Sequence, residues 1–272
     1  MDSSLARART DGVLSRFAHE RLRLWMIPVS LALAAWLVAP NVVDVPAYKL
    51  PSMAMVWEEF ARMASDGTLL AGIAGSLWRL AISFCIGVGL AIPLGVGIAL
   101  NRHVAGFFEP LVIFFQSIAG VAWVPLAIIW FGFGQGAVVF VVANAVFFIV
   151  LFNTITGVQS IQPTLKQAVL TLGGSNWDVL REVVLPGAMV NILSGLRTGL
   201  AFGWRALVAA EMIAGNIGLG YMTLEAAQWY KSGVIVAGII VIGCLWLLMD
   251  RLLLRPLEMR TVERWGLLRQ DD

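Results

Sequence analysis

The sequence predicts an all-α polytopic membrane protein with about six transmembrane helices, and three observations carry that prediction. Of 272 residues, 59% are hydrophobic and only 13% charged, with a mean hydropathy of +0.83; soluble domains carry about 45–50% apolar and about 25% charged residues. Several apolar runs reach the roughly 20 residues that a helix needs to cross a bilayer, which separates the chain from a soluble protein with unusually buried helices. No Asp, Glu, Lys or Arg occurs from Pro110 to Leu165, a stretch too long for one crossing.

Taken in order, the first span runs about Leu24 to Val43, after an Arg-rich leader. A basic start followed by "SLALAAWLVAP" also fits a cleaved signal peptide, but the length of the leader and of the apolar run favours an uncleaved anchor. "LPSMAMVWEEFARMASDG" then forms a short amphipathic helix at the outer surface. The second span covers about Leu77 to Asn101. Its Ser83, Gly87, Ala91, Gly95 and Ala99 recur every four residues and allow close approach of a helix from the same chain or from a second copy. The charge-free stretch divides at its FGFGQG turn, Phe131 to Gly136, giving a third span at about Phe107 to Phe131 and a fourth at about Ala137 to Gly157. The fifth occupies about Gly187 to Ile213 and the sixth about Val234 to Met249. The organisation is thus a tail (1–23), a transmembrane domain (24–256) with a polar loop at 158–186, and a second tail (257–272).

Lys and Arg set the orientation. With both tails in the cytoplasm, Arg7, Arg9, Arg16, Arg21 and Arg23 lie inside, as do Arg102, Lys166, Arg181 and the C-terminal Arg251, Arg255, Arg260, Arg264 and Arg269. Only Lys49, Arg62 and Lys231 lie outside, while Arg79, Arg197 and Arg205 fall within spans. The net charge of +2 gives no case for nucleic acid. HExxH, CxxC and the GxxxxGK[ST] phosphate loop are all missing, so no metal is expected and any ATP must be hydrolysed by another chain. Cys85 and Cys244 sit in apolar runs as small hydrophobes.

The loop itself has internal order. Pro163, Leu165, Ala168, Val169 and Leu172 follow the i, i+3, i+4, i+7 spacing of a helix with one apolar face. Gly173-Gly174 stops that helix. Ser175 with Asp178 resembles a capping box that opens a second short helix, on which Trp177, Arg181 and Glu182 follow. Leu185-Pro186 is expected to end it, with Pro186 in the first turn of span five.

These breaks resemble the cytoplasmic EAA-x3-G-x9-I-x-LP loop of bacterial ABC importer permeases. Gln167-Ala168-Val169, Gly173, Val183 and Leu185-Pro186 keep that spacing, with Gln167 in place of Glu and Val169 in place of the second Ala. "LPSMAMVWEEF", "GSLWRLAISFCIG", "VPLAIIWFGFG", "WRALVAAEMIAGNIGLGYM" and "RPLEMRTVERWG" are similar to the nitrate/sulfonate/taurine (and bicarbonate) branch, so the likeness covers about residues 50–266. The resemblance implies the fold of a type I ABC importer permease and an inner-membrane homodimer. It also implies that two cytoplasmic ATPase subunits, which hold the ATP and Mg, dock on a coupling loop containing Lys166, Gln167, Ala168, Gly173, Gly174, Ser175, Trp177, Asp178, Arg181, Leu185 and Pro186. A binding protein outside would deliver a small anion such as a sulfonate, taurine or nitrate, or an aromatic carboxylate such as phthalate. No covalent chemistry is expected of this chain.

Charge within a span asks for an interior role. On a helix turning about 100° per residue, Arg197, Arg205 and Glu211 fall within about 120° of one another and are expected to face the interior together. Arg79 and Arg205 then either line an anion pathway or act structurally, pairing with Glu211 or with free carbonyls at broken helix ends. Pro125, inside the third span, is expected to break its backbone ladder, with Trp123 and Trp130 either packing or narrowing the pathway. The rival architecture is a self-sufficient secondary transporter or channel using the same charges, although no repeat of the hydropathy pattern is evident. A membrane enzyme lacks a constellation of catalytic side chains.

Overall fold

The computed structural model describes residues 27–28, 30–31, 34–38, 46 and 48–254. Both expected tails and most of the first span lie outside the described residues. Within the described ones every regular element is helical.

Helix α1 (Met53–Ser65) is the expected amphipathic helix. Ser52 caps it, its Oγ accepting from the Met55 N–H at 3.3 Å, and Val56 and Met63 are buried. The Trp36 indole donates to the Pro51 carbonyl at 3.0 Å and so ties the first span to its start. Helix α2 (Thr68–Ala99) begins nine residues before the expected Leu77. The start is fixed locally: Asp66 accepts from the Thr68 N–H at 2.9 Å and from its hydroxyl at 2.6 Å, and the apolar residues Leu69, Leu70, Ala71 and Ile73 follow.

The next span corrects the prediction. Phe107 to Phe131 is not one continuous helix: α3 (Arg102–Ser117) and α4 (Val124–Phe131) are joined by an extended Ile118 and a 3-10 turn, Gly120–Trp123, and the pair is bent by 90°. Pro125 does not cause the break. It lies in the first turn of α4, where an absent N–H leaves no helical bond unmade.

Helices α5 (Gln135–Gln159) and α7 (Asn176–Ala214) flank, with α2, the centre of the bundle. Val138, Val141, Val142, Val146 and Val150 of α5 are fully buried. The small-residue stripe of α2 packs on α5 within the chain: a Cβ at Gly87 would stand 2.9 Å from the Ala143 carbonyl, and one at Gly95 2.8 Å from Thr154. A second stripe, Gly195, Gly199 and Gly203 of α7, meets α5 from the other side, with a Cβ at Gly195 2.7 Å from Asn153. Backbones at that range maximise van der Waals contact where no water is expelled.

The short helix α6 (Pro163–Thr171) precedes α7, and α8 (Leu219–Gln228) separates α7 from α9 (Ser232–Met249). Pro186 sits in the first turn of the α-helical stretch Leu185–Ala214, as expected, but Leu185-Pro186 does not separate that stretch from the short helix before it. A proline ring would collide with the carbonyl four residues back, that of Glu182. The turn Val179–Val184 is π-helical, with the Leu185 N–H reaching the Leu180 carbonyl, and this wider turn lets one helix run through the proline. Four described helices are long and apolar enough to cross a membrane, or five if the bent pair forms one span.

Candidate functional site: the exposed insert and the buried charge cluster

The two polar regions of the molecule sit toward the two ends of α7. At 39 residues α7 is about 58 Å long, roughly twice a bilayer core, so its Asn176 end projects beyond the membrane.

That end carries the insert. Helix α6 finishes in a Schellman motif: the Gly174 N–H donates to the Val169 carbonyl at 2.9 Å and the Gly173 N–H to the Leu170 carbonyl at 3.1 Å. Gly173 has φ +86°, and a Cβ on Gly174 would stand 2.6 Å from Val169, so the two glycines answer different demands. The capping box forms as read. The Ser175 N–H donates to Asp178 Oδ2 at 2.7 Å, and the Asp178 N–H donates back to Ser175 Oγ at 3.3 Å. The Ser175 hydroxyl, which also donates to Asp178 Oδ2 at 2.6 Å, and the Ser175 N–H together hold the Asp178 carboxyl below its ordinary range.

Only one face of the insert is used internally. Val169 packs with Val179, Leu180, Val183 and Val184 on the end of the bundle. No residue of α6 is fully buried; Leu165, Leu170, Leu172 and Trp177 are exposed, beside exposed Gln167, Ala168, Arg181 and Glu182 and a half-buried Lys166. Leu185 is exposed and Pro186 half-buried at the junction with the span.

The other end of α7 buries its charge. Glu211 is fully buried and accepts from Arg79 Nη1 at 2.8 Å, from the Ser76 hydroxyl at 2.8 Å and from the Gly220 N–H at 3.0 Å. Ser76 Oγ accepts from the Leu219 N–H at 3.0 Å. Arg79 also donates to the Ile217 carbonyl and, at 3.5 Å, to Asn216. Helix α8 has no side-chain cap of its own. Its first two amides are satisfied instead by Ser76 of α2 and Glu211 of α7, an anion at a helix N-terminus. Gly218, at φ +132°, lies against the carboxylate with no room for a Cβ.

The structure therefore joins Arg79 to Glu211 and separates Arg197 and Arg205 from them, which corrects the expectation of one shared face. Arg197 is exposed and bonds Asp250 at 3.4 Å. Arg205 is exposed, its guanidinium over the Phe202 ring at 5.4 Å. The helical arc of about 120° was too generous, because the buried strip of α7 lies on the far side of Glu211 from both arginines. Trp123 is half-buried, its Nε1 without an acceptor among the described residues, whereas Trp130 is exposed and edge-on to Phe140 at 5.5 Å. Sequence reasoning missed Ser76, Asn216 and the α8 amides; the glycine-rich GNIGLG after Glu211 was their only signal.

Comparison with known proteins places this architecture. The sequence profile of the family described as "Binding-protein-dependent transport system inner membrane component" matches residues 87–255. The taurine transport system permease protein TauC of Escherichia coli (strain K12) is 33% identical, over 89% of this chain and 94% of its own. The putative aliphatic sulfonates transport permease protein SsuC of Bacillus subtilis (strain 168) is 28% identical, over 93% and 94%. Among solved structures, an inward-facing conformation of the MetNI methionine ABC transporter superposes with a TM-score of 0.56 at 18% identity, covering 69% of this chain and 95% of that one, which shows a shared ABC importer permease fold. By these matches the chain is a multi-pass inner-membrane protein and belongs to the family of binding-protein-dependent transport system inner membrane components.

Proposed function

We propose that this chain is the non-catalytic permease subunit of an ATP-driven importer, that two copies form the translocation pathway, and that the pathway carries a small anion. The relatives named for taurine and aliphatic sulfonates support a sulfonate-type substrate received from a binding protein. The observation that carries the reading is the insert: a rigidly capped helix pair that leaves Leu172 and Trp177 exposed at the projecting end of a membrane helix. Exposed apolar groups rimmed by charge mark a protein docking surface. In this reading residues 158–186 of each copy dock one cytoplasmic ATPase, which binds ATP and Mg, and both termini are cytoplasmic.

The geometry suggests how docking is used. Because α7 continues from Asn176 through the π turn to Ala214, a displacement at Trp177 is carried along about 50 Å to Glu211 and so to α8. ATP-driven approach of the two ATPases would then tilt the two copies of α7 and switch which side of the pathway is open, a shear movement of packed helices.

The test is purification of the tagged chain from native membranes in mild detergent, with subunit masses and ATPase activity measured. Two copies with two ATPase chains are expected. Leu172→Asp and Trp177→Asp, both at exposed positions, should release the ATPase and leave the membrane bundle folded. A monodisperse particle without ATPase, under conditions that keep peripheral subunits on other transporters, would refute the proposal in favour of a self-sufficient transporter.

A further inference from the structure

We infer that Ser194, Thr198 and Arg205 line the water-filled route of the transporter and that Arg205 is the group its anionic substrate meets there. The inference rests on the reading of the chain as the permease of an anion importer. With Glu211 at 0° on α7, these three residues fall at about 100°, about 140° and about 120°. All three are exposed, while the buried residues of the helix occupy an arc from about −160° to about 20°. A polar stripe thus runs along the side of a membrane helix that faces away from its own chain.

Counter-ions distinguish Arg205 from its neighbours. Arg79 is bonded to Glu211 and Arg197 to Asp250, but among the described residues Arg205 has no carboxylate partner, only the face of Phe202. It lies about 30 Å along the helix from Leu185 and about 13 Å before Ala214, well within the span. A charge at that depth is unfavourable against lipid and marks an ion or substrate path.

The hydroxyls agree. Ser83 and Thr154, buried in membrane helices, and Thr223, buried in α8, each donate at 2.7 Å to the carbonyl four residues back. Among the described residues, exposed Ser194 and Thr198 make no such bond. The neighbouring Ala206 packs on Gly120, whose Cβ position lies 3.3 Å away, at the 3-10 turn that follows the 90° break. Ser117, Ala119 and Val121 at this break are exposed, and irregular backbone at membrane depth is tolerated only in protein or beside water.

A second copy related by a two-fold axis would bring another Arg205 to this face, a like charge that repels. In this inference the passing anion is the charge that Arg205 meets. A guanidinium, with its planar fork of donors, suits the paired oxygens of a sulfonate or carboxylate.

The test uses the full chain in native membrane vesicles, with the exposed Cys85 and Cys244 replaced by Ser and Thr198→Cys introduced. The probes are two water-soluble thiol reagents of similar size, one an ethylsulfonate and one a trimethylammonium methanethiosulfonate. Thr198→Cys should be modified from water, unlike Leu90→Cys on an exposed apolar face of α2. The sulfonate's rate relative to the trimethylammonium reagent should fall by about fourfold when Arg205→Gln is added, the effect of one charge across about 10 Å of water. Arg205→Lys should restore it. No modification of Thr198→Cys by either reagent would overturn the inference, as for an arginine held by lipid phosphate. So would a rate ratio indifferent to Arg205→Gln. Labelling needs no ATPase, so loss of the importer reading would leave this result intact, and a captured ATPase with an unlabelled Thr198→Cys would sink this inference alone.

Discussion

The insert and the Glu211 cluster are both polar regions served by α7, and they are stabilised in opposite ways. In the insert every side-chain hydrogen bond closes between residues three or four apart, as in Ser175–Asp178 and Thr171–Gln167, and the charges point to solvent. In the cluster the bonds between α2 and the α7–α8 segment join residues 132 to 143 positions apart, the Gly220–Glu211 bond spans nine, and the charges are sealed from solvent. The comparison teaches that an exposed docking element needs only local rules to hold its shape. A charge buried in the bundle has no local solution, and it makes three helices depend on one another.

The largest effect tests that dependence. Glu211→Leu alone strands the Arg79 guanidinium and should destabilise the protein by about 3–5 kcal/mol, seen as a lowered Tm and loss of the monodisperse peak in size-exclusion chromatography. Adding Arg79→Leu should recover part of that loss, with a coupling of about 1–3 kcal/mol. Strict additivity of the two would break the comparison, since the pair would then not act as one unit.

Next in size is Gly174→Val. The clash with Val169 should cost about 1–3 kcal/mol within the insert. Captured ATPase activity should drop while the Tm of the membrane bundle stays put; a matching fall in Tm would mean that the insert is not the separable element described.

Ser175→Ala should have a smaller effect, about 1 kcal/mol from the lost cap, read as faster hydrogen exchange over residues 176–184. The same segment has a predictable pH response. Asp178 is held below its ordinary pKa of 3.8, so its contribution is fully present above that value and is lost only as pH falls through the depressed one. Protection should therefore be flat from pH 8 to pH 5. The smallest effect sharpens the contrast: Glu59→Gln breaks the exposed pair with Arg62 on α1 and should change the Tm by no more than an exposed bridge allows, about 0–1 kcal/mol.

Much of the fold was legible because its signals are local. The capping box, the glycine stop after α6, the small-residue stripe of α2 and the division at Phe131–Gly136 all appear where the residues placed them. The 90° break was not legible, because Ser117 to Gly120 carries no proline and only one glycine, and an apolar window averages across it. The proline at 186 misled for the opposite reason: it is a strong local stop signal, and a π turn that no residue pattern announces absorbs it. Helix α8 was hidden because its cap comes from other helices.

By itself the sequence determined that the chain spans a membrane many times, where its polar insert begins and ends, and which motifs that insert shares with importer permeases. Those properties follow from composition, run length and hydrogen bonds a few residues long, all of which are present before the chain folds. Only the tertiary structure decided which arginine meets Glu211. Angular position on one helix fixes a direction but not what lies in it, and it took the packing of α2 and α8 against α7 to bury Glu211 with Arg79 and leave Arg205 on the open face.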